Sequence, residues 1–219
     1  MNDKFVANFY DDGIFHVYNR TNNKELLFAS DENRLYFLKQ YAKYVAPFVD
    51  TYCWCLLTNH FHFLIQVKST NVIKQYLANL NQPLLKPVEK MFLIDKATTE
   101  ELIELEWKRF FTSYSMAFNK KQGRTGNLFH RPFKRVEVNK ESYFTQAVIY
   151  IHANALKHKL CKDFTLYKWS SWYSITGNKP TLLCKEQVLD WFGGLSRFIE
   201  VHKSQSEFYY ASDIAIEDE

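Results

Sequence analysis

The stretch from residue 51 to residue 67 constrains the fold of this 219-residue chain more than any other feature. Residues 51–57 are apolar and aromatic, residues 58–59 indicate a turn, and residues 60–67 alternate in character. Successive side chains of a β-strand point to opposite faces, so the alternation predicts one core face and one opposite face. The core face comprises Phe61, Phe63, Ile65 and Val67. The stretch therefore predicts a β-hairpin whose second strand lies half against a core.

The elements around the hairpin predict an α+β fold. Residues 13–18 and 128–138 have strand character, and a helix is expected to begin at Ser30 and end before Pro47. Helical spacing predicts three further helices, over residues 71–80, 101–119 and 142–159. Their order favours a ferredoxin-like or RRM-like antiparallel sheet with helices packed on one face, which leaves the other face for a ligand.

Composition indicates a single compact domain. Hydrophobic residues make up 47% of the chain, and 6 glycines and 5 prolines are too few for a disordered or collagen-like protein. We expect one domain over residues 1–219, with a core at about 13–171, an insertion at about 81–104 and a C-terminal extension at about 172–219. No apolar run is long enough to span a membrane, and four cysteines are too few for a disulfide framework. A cytoplasmic protein, nucleoid-associated in a prokaryote, is the expectation.

Two histidines of the second hairpin strand are candidate metal ligands. His60 and His62 are two residues apart and project from the same face, where their neutral imidazoles can converge on one divalent ion. Two ligands do not complete a coordination sphere, and two half-exposed strand histidines that bind nothing are the alternative. A zinc site that adds Cys53 and Cys55 is a further alternative, although the Cys-x-Cys spacing is not that of a zinc knuckle.

The last strong helix carries a second pair of polar side chains. Tyr150 and Asn154 are four residues apart and therefore lie one above the other on a helix. A phenol and an amide on one face can supply a nucleophile and a third metal ligand if that face packs over the histidine strand. Alternatively, Tyr150 is one of 14 tyrosines and serves only packing.

A basic and aromatic segment is the candidate nucleic-acid-binding region. The net charge of +4 is modest, but residues 120–135 contain six cations and no acidic residue. Cations that neutralise phosphates beside rings that stack on bases are typical of single-strand binding. A solvated basic loop is the alternative. The candidates are Lys120, Lys121, Arg124, Phe129, Arg131, Phe133, Lys134 and Arg135.

Three short motifs together resemble those of a known family. Residues 57–65 (LTNHFHFLI), 126–134 (GNLFHRPFK) and 150–154 (YIHAN) are similar, in order and spacing, to motifs of the REP-associated tyrosine transposases, a group of the single-tyrosine HUH transposases. The resemblance implies a metal-dependent endonuclease and strand transferase that acts on single-stranded DNA, often at a hairpin. It also allows a homodimer.

The resemblance assigns a role to each matched residue. His60 and His62 match the two histidines that hold a Mg²⁺ or Mn²⁺ ion, and Asn154 matches the polar residue that completes the metal site. Tyr150 matches the nucleophile that forms a 5′-phosphotyrosine link to DNA. Thr58 and Ala155 depart from the family, which usually has proline at both positions. A host-adopted relative that binds single-stranded nucleic acid without cleaving it is the alternative function.

Overall fold

The computed structural model describes residues 5–211, and its sheet has the predicted antiparallel topology. The strands are β1 (Ile14–Arg20), β2 (Val49–Leu56), β3 (His60–Val67) and β4 (Lys134–Glu137). They lie in the order β2-β3-β1-β4, and each neighbouring pair is antiparallel. The α+β class and the antiparallel sheet are therefore confirmed. The helices are α1 (Asp31–Tyr44), α2 (Thr70–Ala78), α3 (Pro87–Leu93), α4 (Thr99–Gln122), α5 (Glu141–Lys157), α6 (Trp172–Thr176), α7 (Lys185–Phe192) and α8 (Leu195–Ala211).

Helices α1 and α4 cover the first face of the sheet with an aromatic core. Phe37 of α1 packs against Phe61 at a ring-centroid distance of 5.0 Å, and Tyr41 stacks on Phe63 at 4.1 Å. Trp107 of α4 lies 6.2 Å from the same Phe63 ring. The alternation of residues 60–67 thus places its aromatic half where the sequence predicts it. Much of the aromatic content of the chain belongs to this core.

Local signals determine the ends of these two helices. The Ser30 hydroxyl accepts a hydrogen bond from the backbone N–H of Asn33, which starts α1 at the expected place. Thr98 and Glu101 form a capping box at the start of α4, and Gly123 ends α4 in the left-handed region at a φ of 62°. Lys120 and Lys121, which follow the helix predicted over residues 101–119, lie in the last turn of α4. There they complement the negative end of the helix dipole.

The second face of the sheet is also covered, by α5. Tyr52 of β2 packs edge-on against Phe144 of α5 at 4.9 Å, and Cys53, Cys55 and Leu64 share the same buried cluster. The expectation of helices on one face and an open second face is thus wrong in this respect. Because this face carries apolar side chains and rings beside its two histidines, burying it under a helix removes apolar surface from water.

The C-terminal helix α8 packs against α5. His152 of α5 and His202 of α8 are hydrogen-bonded at 3.0 Å, and His152 also contacts the Ser171 hydroxyl at 2.8 Å. Residues 147–155 of α5 are consequently buried. None of the helices in residues 5–211 combines the length and the apolar character needed to cross a bilayer.

Residues of the predicted insertion contribute to the core, and the last predicted strand is shorter in the structure than in the sequence prediction. Within residues 81–104, Leu85 and Phe92 are buried in the first-face core, and Glu89 pairs with Arg109 of α4 at 3.2 Å. The strand expected over residues 128–138 is only four residues long, since β4 begins at Lys134. Pro132 has no N–H to donate to a strand partner, which explains why regular pairing starts after it.

Candidate functional site

Strand β3 directs both candidate histidines toward α5. His60 and His62 alternate with Phe61 and Phe63, which lie in the opposite core. His62 is fully buried, whereas His60, the first residue of the strand, has 8% of its surface exposed. The two imidazole centroids are 5.3 Å apart, so the strand presents the rings as a neighbouring pair.

Strand β1 adds a third histidine that the sequence analysis missed. The buried His16 lies beside His62, with its Nε2 atom 2.9 Å from the Nδ1 atom of His62. Tyr18 of the same strand stacks on the His62 ring at 5.6 Å. The alternation of residues 14–18, like that of residues 60–67, indicated that His16 would project from one face of a strand. The pairing of β1 with β3, which places the two histidine faces side by side, was not evident from the sequence.

Helix α5 brings Tyr150 to the same place. Its ring centroid lies 5.9 Å from that of His62 and 6.0 Å from that of His16, edge-on in both cases. Eight residues further along the chain, at the end of α5, His158 contacts His60 at 4.5 Å. The helix therefore runs antiparallel to β3.

Asn154 lies between these two contacts along α5. Four residues advance a helix by about 6 Å, so Asn154 is one turn from Tyr150, which contacts His62, and one turn from His158, which contacts His60. Its Nδ2 atom donates to the Tyr150 carbonyl oxygen at 3.1 Å. Its Oδ1 atom is buried and accepts no hydrogen bond from the described residues. An acceptor left in this state is costly, and an electropositive partner of that oxygen would offset the cost.

The His60 ring has a defined protonation pattern. Its Nδ1 atom lies 2.7 Å from the Asn59 Oδ1 atom. An amide oxygen only accepts, so Nδ1 donates, and a neutral His60 carries its lone pair on Nε2. That nitrogen is the one a metal ion uses.

Comparison with known proteins gives one informative match. No protein-family model and no curated protein matches the chain. A solved structure, the REP-associated tyrosine transposase bound to a REP hairpin, superposes with a TM-score of 0.53. The likeness covers 80% of this chain and 84% of that chain at 13% sequence identity.

The chain is similar in fold to a tyrosine transposase. The resemblance drawn from three short motifs is thereby supported by the architecture of most of the chain. At 13% identity the similarity concerns the fold. The roles of single residues therefore depend on the geometry described above.

The zinc alternative is not supported by the cysteines. Burial raises the pKa of the Cys53 and Cys55 thiols well above the ordinary range, which disfavours the thiolate that zinc requires. Within residues 5–211, no three His, Cys, Asp or Glu side chains are grouped to hold a metal. A centre at His60 and His62 accordingly needs a ligand of another type, such as the Asn154 amide.

Three of the predicted nucleic-acid-binding residues lie in the interior. Phe129 packs against Phe111 at 4.9 Å, and Phe133 stacks on Trp107 at 5.7 Å, so neither ring is placed to stack on a base. Arg135 is 3% exposed and pairs with Glu104 at 2.6 Å. These three assignments are corrected. The alternating rings and cations belong to β4 and to the residues just before it, and the rings pack in the core.

The other predicted cations divide by exposure. Arg124 is half-buried and pairs with Glu25 at 2.7 Å, and Lys134 is half-buried with its ammonium group 5.2 Å from the Phe5 ring. Lys120, Lys121 and Arg131 are exposed. These last three remain candidates for phosphate contacts.

Further cations neighbour residues of the site in the sheet, in space or along the chain. Arg20 is the strand partner of His60, and its carbonyl oxygen accepts from the N–H of His130. Lys157 lies over the Tyr150 ring at 5.6 Å, and Lys159 follows in the exposed chain after α5. Together with Arg131 they form the basic rim, defined as Arg20, Arg131, Lys157 and Lys159. Because these cations are dispersed in the sequence, only Arg131 was predictable.

Proposed function

We propose that the chain is a metal-dependent endonuclease and strand transferase for single-stranded DNA, with Tyr150 as the nucleophile. The observation that carries the proposal is the 5.9 Å contact between the rings of Tyr150 and His62, with Asn154 one helical turn further along the same face. A phenol, an amide oxygen and two imidazoles gathered from separate elements are the parts that phosphoryl transfer to tyrosine requires. The similarity in fold to a tyrosine transposase supports the same reaction class.

The residues present fit a divalent ion. His60, His62 and the buried Oδ1 atom of Asn154 would hold it, and this mixed nitrogen and oxygen donor set suits Mn²⁺ at least as well as Mg²⁺. When bound, such an ion polarises the phosphoryl oxygens and makes the phosphorus more electrophilic. The amide supplies the hard oxygen ligand that two imidazoles lack.

Tyr150 performs the covalent step in this proposal. Its hydroxyl loses a proton, the phenolic oxygen bonds to the phosphorus of a phosphodiester, and the bond from phosphorus to the 3′-oxygen breaks. The 3′-oxygen takes up a proton and leaves as a hydroxyl, while the downstream fragment stays linked to Tyr150 through its 5′-phosphate. The link conserves the phosphodiester energy, so a later 3′-hydroxyl can attack it and rejoin the strand.

Hairpin DNA is the proposed substrate. The transposase with the similar fold is bound to a REP hairpin, and the basic rim offers four cations that neighbour residues of this site. Cations in such a position steer and hold a single strand without reading its bases.

A covalent-adduct assay tests the proposal. Single-stranded hairpin DNA with a label at its 3′ end is incubated with the protein and Mn²⁺ and separated on a denaturing gel. We expect a labelled band shifted by the 26.1 kDa protein and its disappearance in Tyr150→Phe. Tyr143→Phe, which removes an exposed phenol from the same helix, is the matched control and should retain the adduct. An adduct that persists in Tyr150→Phe would exclude Tyr150 as the nucleophile.

A binding module that does not cleave is the second candidate. The observation in its favour is the burial of Tyr150 and Asn154, which are 2% and 1% exposed. The same assay separates the two functions if binding is measured in parallel. Salt-sensitive hairpin binding with neither an adduct nor a cleaved strand, in Mg²⁺ and in Mn²⁺, would identify the binding module.

A further inference from the structure

His16 lies in direct contact with His62, the more deeply buried of the two candidate histidine ligands. It lies on β1, one strand over from His62, and is 2% exposed. The two rings are nearly parallel, with an interplanar angle of 22° and centroids 5.1 Å apart. The Nε2 atom of His16 is 2.9 Å from the Nδ1 atom of His62, a hydrogen-bond distance between two buried side chains.

A hydrogen bond between two neutral imidazoles has two forms with opposite consequences for His62. If His62 donates from Nδ1, its Nε2 atom keeps a lone pair and can bind a metal ion. If His16 donates from Nε2, His62 carries its own proton on Nε2, and that nitrogen cannot bind a metal ion. The direction of this one bond therefore decides whether His62 is competent.

His60 provides an internal comparison. Its Nδ1 atom donates to the Asn59 Oδ1 atom, which leaves Nε2 as the nitrogen with the lone pair. The two histidines thus have the same arrangement, in which Nδ1 is engaged within the fold. A common ion requires a lone pair on Nε2 of both rings, and the His60 pattern matches the first form of the His16 and His62 pair.

We propose that His16 is a positioning residue that accepts the Nδ1 proton of His62 and so holds His62 in its metal-binding tautomer. The inference rests on the proposed function, because it concerns a ligand of that site. In this proposal His16 acts through His62 and is not itself a ligand of the metal. Removal of partners that orient a ligating imidazole in this way commonly changes metal affinity by about 10- to 100-fold.

Two variants at position 16 separate the hydrogen bond from the volume of the ring. His16→Phe keeps a flat ring in the buried position and removes the acceptor. His16→Gln keeps an acceptor, the amide oxygen, and removes the aromatic ring. If His16 only fills space, Phe is the better replacement, whereas a positioning role predicts that Gln is better.

The first measurement is the tautomer of His62, read by nitrogen NMR in protein with isotope-labelled histidine and no metal. In the wild type we expect the proton of His62 on Nδ1. His16→Phe should move it to Nε2, the position that neutral imidazole prefers on its own, and His16→Gln should restore it. A wild-type His62 that is protonated on Nε2 would overturn the inference.

The second measurement is Mn²⁺ affinity by calorimetry. We expect His16→Phe to weaken binding about 10- to 100-fold and His16→Gln to recover most of the affinity. Unchanged affinity and an unchanged tautomer in His16→Phe would refute the role of His16 while leaving the proposed function intact. Absence of Mn²⁺ binding in the wild type would instead refute the metal site, and the NMR result would still decide the direction of the hydrogen bond.

Discussion

Arg135 and Arg131 show how differently two neighbouring cations act. The Arg135 guanidinium pairs with Glu104 at 2.6 Å and lies 3.6 Å from Glu100, both on α4, and its plane contacts the rings of Phe9 and Phe133. Arg131, four residues earlier, is exposed. One arginine ties β4 to α4, and the other faces solvent at the basic rim.

We predict that Arg135→Gln lowers the free energy of unfolding by about 3 kcal/mol, because Glu104 and Glu100 lose the cation that compensates their partly buried charge. Urea denaturation measures the change. Arg131→Ala is the control and should stay within about 0.5 kcal/mol of the wild type. Equal stability of the two variants would contradict the structural role of Arg135.

The same residues show which features the sequence could predict and which it could not. The alternation over residues 60–67 correctly separated the histidine face from the core face, because strand geometry determines it locally. The partners that Arg135, Phe129 and Phe133 have on α4 are 15 or more residues away, and nothing in the basic segment itself points to them. Assignment of these three to DNA binding followed the local pattern and missed the distant partners.

Helix α5 is held between the sheet and α8 by a buried polar chain. The carbonyl oxygen of Phe198 accepts from His202 Nδ1, so a neutral His202 accepts on Nε2 from His152 Nδ1. His152 Nε2 then accepts from the Ser171 hydroxyl, whose oxygen in turn accepts from the backbone N–H of Trp54. Every donor in this polar chain has an acceptor when both histidines are neutral.

The buried polar chain predicts a decrease of stability in acid. Burial lowers the pKa of His202 to about 4, and burial together with the nearby His202 lowers the pKa of His152. The unfolded histidines take up protons below about pH 6.5, whereas the folded ones resist, so the stabilisation is complete above pH 6.5 and declines toward pH 4. For His202 alone the decrease by pH 4 is about 3 kcal/mol.

Chemical denaturation at a series of pH values measures this decrease. The variant with His152→Leu and His202→Leu should show a flatter profile between pH 6.5 and pH 4, whatever its stability at pH 8. A wild-type profile that is flat over this range would mean that the histidines are charged in the folded state. No sequence pattern indicates this pair, because the two histidines are 50 residues apart and meet only through the packing of α8 on α5.

At the scale of the whole molecule, the cations beside the candidate site are gathered from several elements. The net charge of +4 is small, and the cations beside the candidate site come from β1, the loop before β4 and the end of α5. Only the fold assembles them into the basic rim. The attraction of this molecule for a polyanion therefore depends on where the fold places its cations more than on its net charge.

We predict that hairpin binding depends on salt through the rim. Combining Arg131→Ala with Lys159→Ala should reduce the slope of log K against log salt by about 0.7 for each phosphate that the variant no longer neutralises. Combining Lys39→Ala with Lys43→Ala, which also removes two positive charges, at exposed positions on α1, should leave the slope unchanged. Fluorescence anisotropy over a range of salt concentrations measures all three proteins, and an equal effect of the α1 variant would indicate general attraction to the surface.

The interior position of Tyr150 has a consequence for timing. A phosphate group cannot reach a phenol that is 2% exposed in this conformation, so a local movement that uncovers Tyr150 would have to precede bond breakage. The rate of that movement would set an upper limit on the rate of cleavage, however much DNA is present. A strand-cleaving enzyme built in this way would stay latent toward single strands that bind briefly, and would act only on those that remain bound long enough for Tyr150 to become accessible.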